Sequence, residues 1–287
     1  MRPEIVPIIS AVGWAVDSIL VRRGAVTSSV LSAAFLSYVV TAALMWGYVL
    51  MNHPASIVWQ PAALYFVLSG TLQPLLARIF FYIGLERMGV ARAAPIRGTG
   101  PLFSVILAVL FLHERPSLPV YVGAFLIVAG GWMVVARRQK DKDDWRLRDA
   151  IYPLGAAFLA AFSQNLRRAG LLLLPNPFVA GAVTTGTSLV IMTVYLAVTR
   201  TFSTVIPSRP SIRFYLPAAF ISAGAQLLVF LSLSLGEVSV MVPLLNITPL
   251  FSVLFSLVFL KDLEKVTLNI VMGVLLLLGG AISITSR

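Results

Sequence analysis

The chain has no cysteine and only two histidines, His53 and His113, which lie far apart. The first absence excludes disulfides, thiolate metal sites and cysteine nucleophiles. The second leaves little on which to build a zinc site. Charge is scarce as well, with 11% Asp, Glu, Lys and Arg against about a quarter in a soluble domain. With 59% hydrophobic residues and a mean hydropathy of +0.92, the 287 residues cannot cover a water-facing surface. The sequence therefore reads as an integral, multi-pass protein of the cell membrane. No nucleotide-binding P-loop is visible, which argues against direct coupling to ATP. A membrane enzyme acting on lipid or an isoprenoid would need clustered acids or histidines near an interface, and the sequence shows none. No metal, haem or organic cofactor is expected.

What the chain does contain is apolar runs of membrane-spanning length. A span needs roughly 20 residues, and ten are expected at about 5–21, 28–50, 62–84, 93–112, 118–136, 150–166, 177–199, 214–234, 239–260 and 267–285. The first, beginning at Ile5, lacks a small-residue cleavage site followed by a polar domain, so it reads as a span rather than a signal peptide. The sizeable polar stretch, Arg137 to Asp149, divides the spans five and five. This gives a first half over 1–136, a linker over 137–149 and a second half over 150–287.

The halves resemble each other. Gly100-Pro101-Leu102-Phe103-Ser104-Val105 returns 148 residues later as Thr248-Pro249-Leu250-Phe251-Ser252-Val253, and seven of fifteen positions match through Glu114 and Asp262. Pro95 matches Pro243, and after a two-residue insertion Gly123 and Gly130 match Gly273 and Gly280. Apolar composition alone does not place Pro, Phe, Ser and Gly in register. An odd number of spans per half starts the second half on the opposite side of the bilayer. The expected fold is thus all-α, with ten transmembrane helices in two inverted five-helix repeats. In such architectures the substrate site lies near the midplane between the halves.

These features resemble the drug/metabolite transporter superfamily, and specifically its ten-helix EamA-type members. The resemblance is carried by the tandem halves and by Leu85 to Val135, with its small-residue loop, its proline-containing helix ending in Leu112-His113-Glu114-Arg115 and its Gly-rich fifth helix. Leu235 to Ile284 repeats that pattern, and Gly13-Trp14 is similar, in reversed order, to a Trp-Gly pair of the family's first span. The resemblance implies a secondary carrier of small organic solutes, often amino acids. It also implies a central cavity lined by the third, fourth, eighth and ninth helices. The partners implied are a small-molecule substrate, the lipid bilayer and a coupling proton or ion, with no nucleic acid; the sequence carries no signal of oligomeric state. The alternatives from other classes are the membrane enzyme and a channel or structural membrane protein.

Three ionisable residues interrupt the apolar runs: Asp17, Arg78 and Arg97. Burying charge in hydrocarbon is expensive, so each is a functional candidate. Arg97 either snorkels or holds an anionic group of the substrate. Arg78 is expected to snorkel or pair structurally. Asp17 is expected to pair with an arginine, bind a substrate amine or carry a proton. Gln73 and Gln226 occupy counterpart spans, and Asn246 aligns with Gly98, so all three are candidates for the cavity wall. Trp14 and Tyr82 are possible pocket aromatics, with ordinary packing the alternative. Glu114 and Asp262 end counterpart helices and read as architectural, through a salt bridge or a helix-end hydrogen bond.

The formal charge of +11 gathers in short loops. Most basic residues, from Arg22 and Arg23 to Lys261 and Lys265, fall on the side of the central polar stretch; Arg2, Arg115, Arg167, Arg168 and Arg287 fall on the other. The positive-inside rule then places the central stretch in the cytoplasm and both termini outside, whereas the family resemblance implies cytoplasmic termini.

Overall fold

The computed structural model describes residues 2–135, 146–259 and 268–286. Asp262 and most of the linker, including Arg137 to Trp145, fall outside these. The described residues form α-helices, short 3-10 turns and one π-helical segment, Thr71–Leu76, with no strand. In chain order the helices are α1 (Ile5–Gly24), α2 (Val30–Asn52), α3 (Ala62–Gly70), α4 (Ala77–Met88), α5 (Val90–Arg97), α6 (Gly100–Phe111), α7 (Leu118–Val135), α8 (Ile151–Leu173), α9 (Pro177–Thr199), α10 (Arg209–Leu235), α11 (Val238–Leu245), α12 (Thr248–Phe259) and α13 (Leu268–Thr285).

Among the described residues, eight helices are long and apolar enough to cross a bilayer, counting α3 with α4, α5 with α6 and α11 with α12. The apolar stretch of α7, Leu118–Val134, is shorter, and α8 has 23 residues with two arginines near its end. Starts and stops follow local chemistry. Ser29 caps α2 by accepting from Ser32 N, and Asn176 caps α9 by accepting from Phe178 N and Val179 N ahead of Pro177 at the first helical position.

Among the described residues, three passes are interrupted within the bundle. Gln73 leaves helical geometry at φ −129°, ψ 121° between α3 and α4, the extended conformation expected of a residue preceding proline. Gly98 and Thr99 separate α5 from α6, and Asn246 and Ile247 separate α11 from α12, each gap three residues beyond an intrahelical proline, Pro95 or Pro243. Interruptions at membrane depth are tolerated where protein or a wet cavity surrounds the backbone.

Some boundaries differ from the sequence expectation. The sixth pass runs to Leu173 instead of stopping near 166, so Arg167 and Arg168 lie inside α8 and not in a loop. The helix continues because Ala169 and Leu171 to Leu173 are good helix formers, Gly170 packs against the Phe66 ring, and both guanidiniums find partners within the bundle. The eighth pass begins at Arg209, with Pro210 in its first turn, and not at 214.

Helix α7 lies along α13, α1 along α10, α3 and α4 along α8, α2 along α9, and α6 against α11. Replacing each pass by its counterpart five passes away turns the α1–α10 contact into the contact of α8 with α3 and α4. It likewise turns the contact of α1 with α11 and α12 into that of α8 with α5 and α6, and α2–α10 into α9–α3. The α7–α13 seam is built on four glycines. A Cβ on Gly123 would stand 2.7 Å from Gly280 O, and one on Gly280 would stand 2.7 Å from Gly123 O. Gly130 and Gly273 oppose each other in the same way, at 2.6 and 2.7 Å. As one index rises the other falls, so the two helices run antiparallel. Without Cβ atoms the backbones approach closely, as small residues permit between membrane helices.

At the start of α8, outside the apolar core, Asp149 accepts from Arg146 N at 2.9 Å and pairs with Arg87 at 3.2 Å. The backbone N–H of Arg146 first, then the Arg87 guanidinium, hold its carboxyl below the usual carboxylate range.

Candidate functional site

Between the helices lies a cavity of about 390 Å3, within the range of small-molecule sites. Both halves of the chain line it. Trp14 and Asp17 come from α1, Ser37, Tyr38 and Thr41 from α2, Gln73 from the α3–α4 break and Arg78 from α4. The second half adds Gln164 and Arg167 from α8, Thr184, Thr185 and Ser188 from α9, Ser222 and Gln226 from α10, and Asn246 from the α11–α12 break. Two of the three helix interruptions thus open onto the cavity.

Several of its polar groups are already satisfied within their own helices. Asn246 Nδ2 donates to Val242 O at 2.8 Å, Thr185 Oγ1 to Gly181 O at 2.6 Å and Ser222 Oγ to Ala219 O at 3.0 Å. Ser188 Oγ bridges helices by donating to Gly70 O at 3.0 Å. Other groups have no partner. Asp17 Oδ1 and Gln73 Oε1 are buried acceptors without a hydrogen bond, and the Thr184 hydroxyl is equally unpartnered. Buried polar atoms are usually satisfied, so these are positions at which a ligand would gain hydrogen bonds.

Of the residues singled out from sequence, Asp17, Gln73, Gln226, Asn246 and Trp14 line this cavity, and Arg97 and Tyr82 do not. Arg97 ends α5, and its guanidinium lies beside Gly100. Its pass breaks immediately afterwards, at Gly98 and Thr99, so Arg97 does not share one continuous helical face with the residues of α6. Tyr82 is 47% exposed on α4, one turn beyond the lining residue Arg78. Asp17 lines the cavity without Arg97. Arg78, expected to be structural, lines it instead.

The polar lining residues of α2, α8 and α9 were missed by sequence reasoning, Arg167 being the charged one among them. Arg167 is 5% exposed. Its Nε donates to Ser69 Oγ at 2.8 Å, its Nη1 donates to Gln164 Oε1 at 3.3 Å, and the guanidinium lies over the Phe230 ring, 5.1 Å from the centroid. The signal was the helical spacing of Ala160, Ser163, Gln164 and Arg167 on one face, followed by further helix formers.

One end of the bundle, where α6 meets α11, is tied down. The Glu114 carboxylate accepts from Val238 N at 2.8 Å and from Ser239 N at 2.9 Å, which satisfies two free donors at the start of α11. Close by, Arg168 Nη1 donates to Leu233 O at 2.7 Å and Ser234 O at 3.2 Å at the end of α10. This is the helix-end hydrogen bonding expected of Glu114.

Residues 2–136 match the family model described as EamA-like transporter family. An uncharacterized transporter of Archaeoglobus fulgidus is 24% identical over 157 residues, which are 55% of this chain and 54% of that protein. The match therefore spans about half the length of that relative. A solved crystal structure superposes with a TM-score of 0.80 at 15% identity, covering 99% of this chain and 96% of the other, a likeness of fold. An all-helical bundle with helices long and apolar enough to cross a bilayer, and a polar chamber within it, describe a multi-pass membrane protein, and its residues 2–136 are similar to the EamA-like transporter family.

Proposed function

We propose that the protein is a secondary carrier that moves a small polar organic metabolite, such as an amino acid or another zwitterion or anion, by alternating access through the central cavity. The observation that carries this reading is the cavity itself. It is lined from both halves, it holds charged groups at membrane depth, and it keeps the acceptors Asp17 Oδ1 and Gln73 Oε1 without partners. Intramembrane charges of this kind mark substrate or ion pathways.

The two halves, 1–136 and 150–287, act as inverted repeats that rock about the cavity. The antiparallel α7–α13 seam supports this, as does the neighbour pattern that survives exchange of the halves. The end of the family match at residue 136 agrees with the same division. Asp17, Gln73, Gln226, Asn246 and Trp14 contact the cargo, and a proton or ion supplies the coupling. The central polar stretch faces the cytoplasm; with Arg167 and Arg168 removed from the loops, fewer basic residues oppose that orientation.

The test is counterflow in sealed vesicles of purified protein loaded with a panel of metabolites. Saturable exchange that Asp17→Asn lowers about tenfold without loss of folded protein is the expected result. Folded protein that exchanges nothing across the panel, or that conducts without saturation, overturns the carrier reading.

A further inference from the structure

The cavity wall carries two arginines, Arg78 and Arg167, and one carboxylate, Asp17. Every partner that holds Arg167 is neutral: the Ser69 hydroxyl, the Gln164 amide oxygen and the Phe230 ring. The hold is nonetheless specific. Ser69 Oγ lies 2.9 Å from Ser163 Oγ, and Ser163 Oγ reaches back to Ser69 O at 3.1 Å. The Ser69 oxygen is thereby fixed as an acceptor for Nε. A guanidinium has five N–H donors in a planar fork, and this arrangement uses two. Among the described residues no carboxylate forms an ion pair with Arg167 or with Arg78. Tyr38, also in the wall, is within electrostatic range of both guanidiniums.

A buried, uncompensated cation costs several kcal/mol. A serine relay, an amide and an aromatic face orient this one while leaving its charge unpaired. Arginine so placed suits planar, two-point recognition of carboxylate or phosphate.

We infer that Arg167, assisted by Arg78, is the cargo-binding site for an oxyanion, so that the transported solute carries a carboxylate or phosphate group that serves as the missing counter-ion. Ser69 is a positioning residue acting through Arg167. This inference rests on the carrier reading for its setting and is tested separately from it.

The experiment measures ligand-induced thermal stabilisation of the detergent-purified full chain. The probes are acetate, succinate, alanine, inorganic phosphate and choline. At least one of the acids or phosphate is expected to raise Tm in a saturable way, and choline is not. Arg167→Gln should weaken that binding about 10- to 100-fold, the cost of losing charge-assisted hydrogen bonds. Arg78→Gln and Ser69→Ala should weaken it less, and Arg167→Lys should retain part of it. Arg78→Gln and Ser69→Ala decide the matter if Arg167→Gln fails to fold. Stabilisation by choline alone, by none of the probes, or with unchanged affinity in the variants overturns the inference.

Repeating the titration in nanodiscs of phosphatidylcholine with and without phosphatidylglycerol separates a soluble oxyanion from a lipid headgroup. Competition by the anionic lipid that soluble acids cannot reverse overturns the assignment to cargo. Saturable counterflow of choline, indifferent to Arg167→Gln, would remove the anion site and leave the carrier standing. Anion binding without flux of any solute would do the reverse.

Discussion

The α7–α13 seam and the cavity wall are both contacts between the first half of the chain and the second, built on opposite principles. The seam packs glycine against peptide backbone, with nothing between the helices. The wall keeps helices apart, breaks two passes where they border the space and leaves polar atoms without partners. Close packing supplies stability between membrane helices, where hydrophobic driving force is weak, while unpaired polar groups cost stability and offer binding. The bundle therefore separates the region that holds it together from the region that leaves polar groups open to a ligand.

The sharpest way to break this comparison is on the seam. Gly130→Ala places a Cβ 2.6 Å from Gly273 O and 2.8 Å from Leu277 N. Neither backbone atom can turn aside, so a loss of about 1–3 kcal/mol is expected, read as a lowered Tm by tryptophan fluorescence. Its neighbour Gly131 has nothing within 4 Å of a new Cβ, and Gly131→Ala should leave Tm unchanged. Equal effects from the two would refute the packing account.

On the wall the pattern should reverse. Asp17→Asn removes a carboxylate whose Oδ1 is buried without a partner, so Tm should hold or rise while counterflow falls about tenfold, as for the loss of a charged hydrogen bond. Lost Tm with retained flux would make Asp17 structural.

Glu114→Gln is expected to lie between these extremes. The variant keeps one acceptor for the two N–H groups of α11 and loses charge assistance, worth about 1 kcal/mol. A cysteine placed at Val238, in a background with none, should then react roughly fivefold faster with a thiol reagent. Unchanged reactivity would show that the clamp does not hold this end closed.

The smallest effect concerns pH. Asp149 titrates below its unfolded value, so its contribution is present above about pH 4 and is lost as pH falls through the lower folded value. Arg87 is half exposed, which screens the pair. A slight acid-side loss of stability, absent in Asp149→Asn, is expected in a pH series of melts.

Much of this was legible from sequence because membrane helices advertise themselves by length and apolarity, and because the recurring Gly and Pro positions mark close contacts and breaks. Asp17 and Gln73 stood out for the same reason, as polar atoms in apolar runs. Arg167 was hidden because Asn165-Leu166-Arg167-Arg168 looks like the polar close of a span, when the helix runs on to Leu173. Its partners Ser69 and Phe230 are distant in sequence, and nothing local reveals them. Arg97 misled for the converse reason. It sits within an apolar run, but the break at Gly98 and Thr99 means that no continuous helical face carries it to the cavity with its neighbours.

The reciprocal glycines carry an evolutionary consequence. When a bulky substitution collides with a neighbouring side chain, a second mutation can restore the fit by trimming that neighbour. Here a peptide oxygen stands within 2.7 Å of a Cβ at each of Gly123, Gly130, Gly273 and Gly280, with the Ile284 side chain nearer still at Gly123, and every amino acid contributes that oxygen alike. No compensating exchange exists across that line, so a saturation scan should find these four positions intolerant even in pairs, while Gly131 and Gly279, open on the same helices, drift freely.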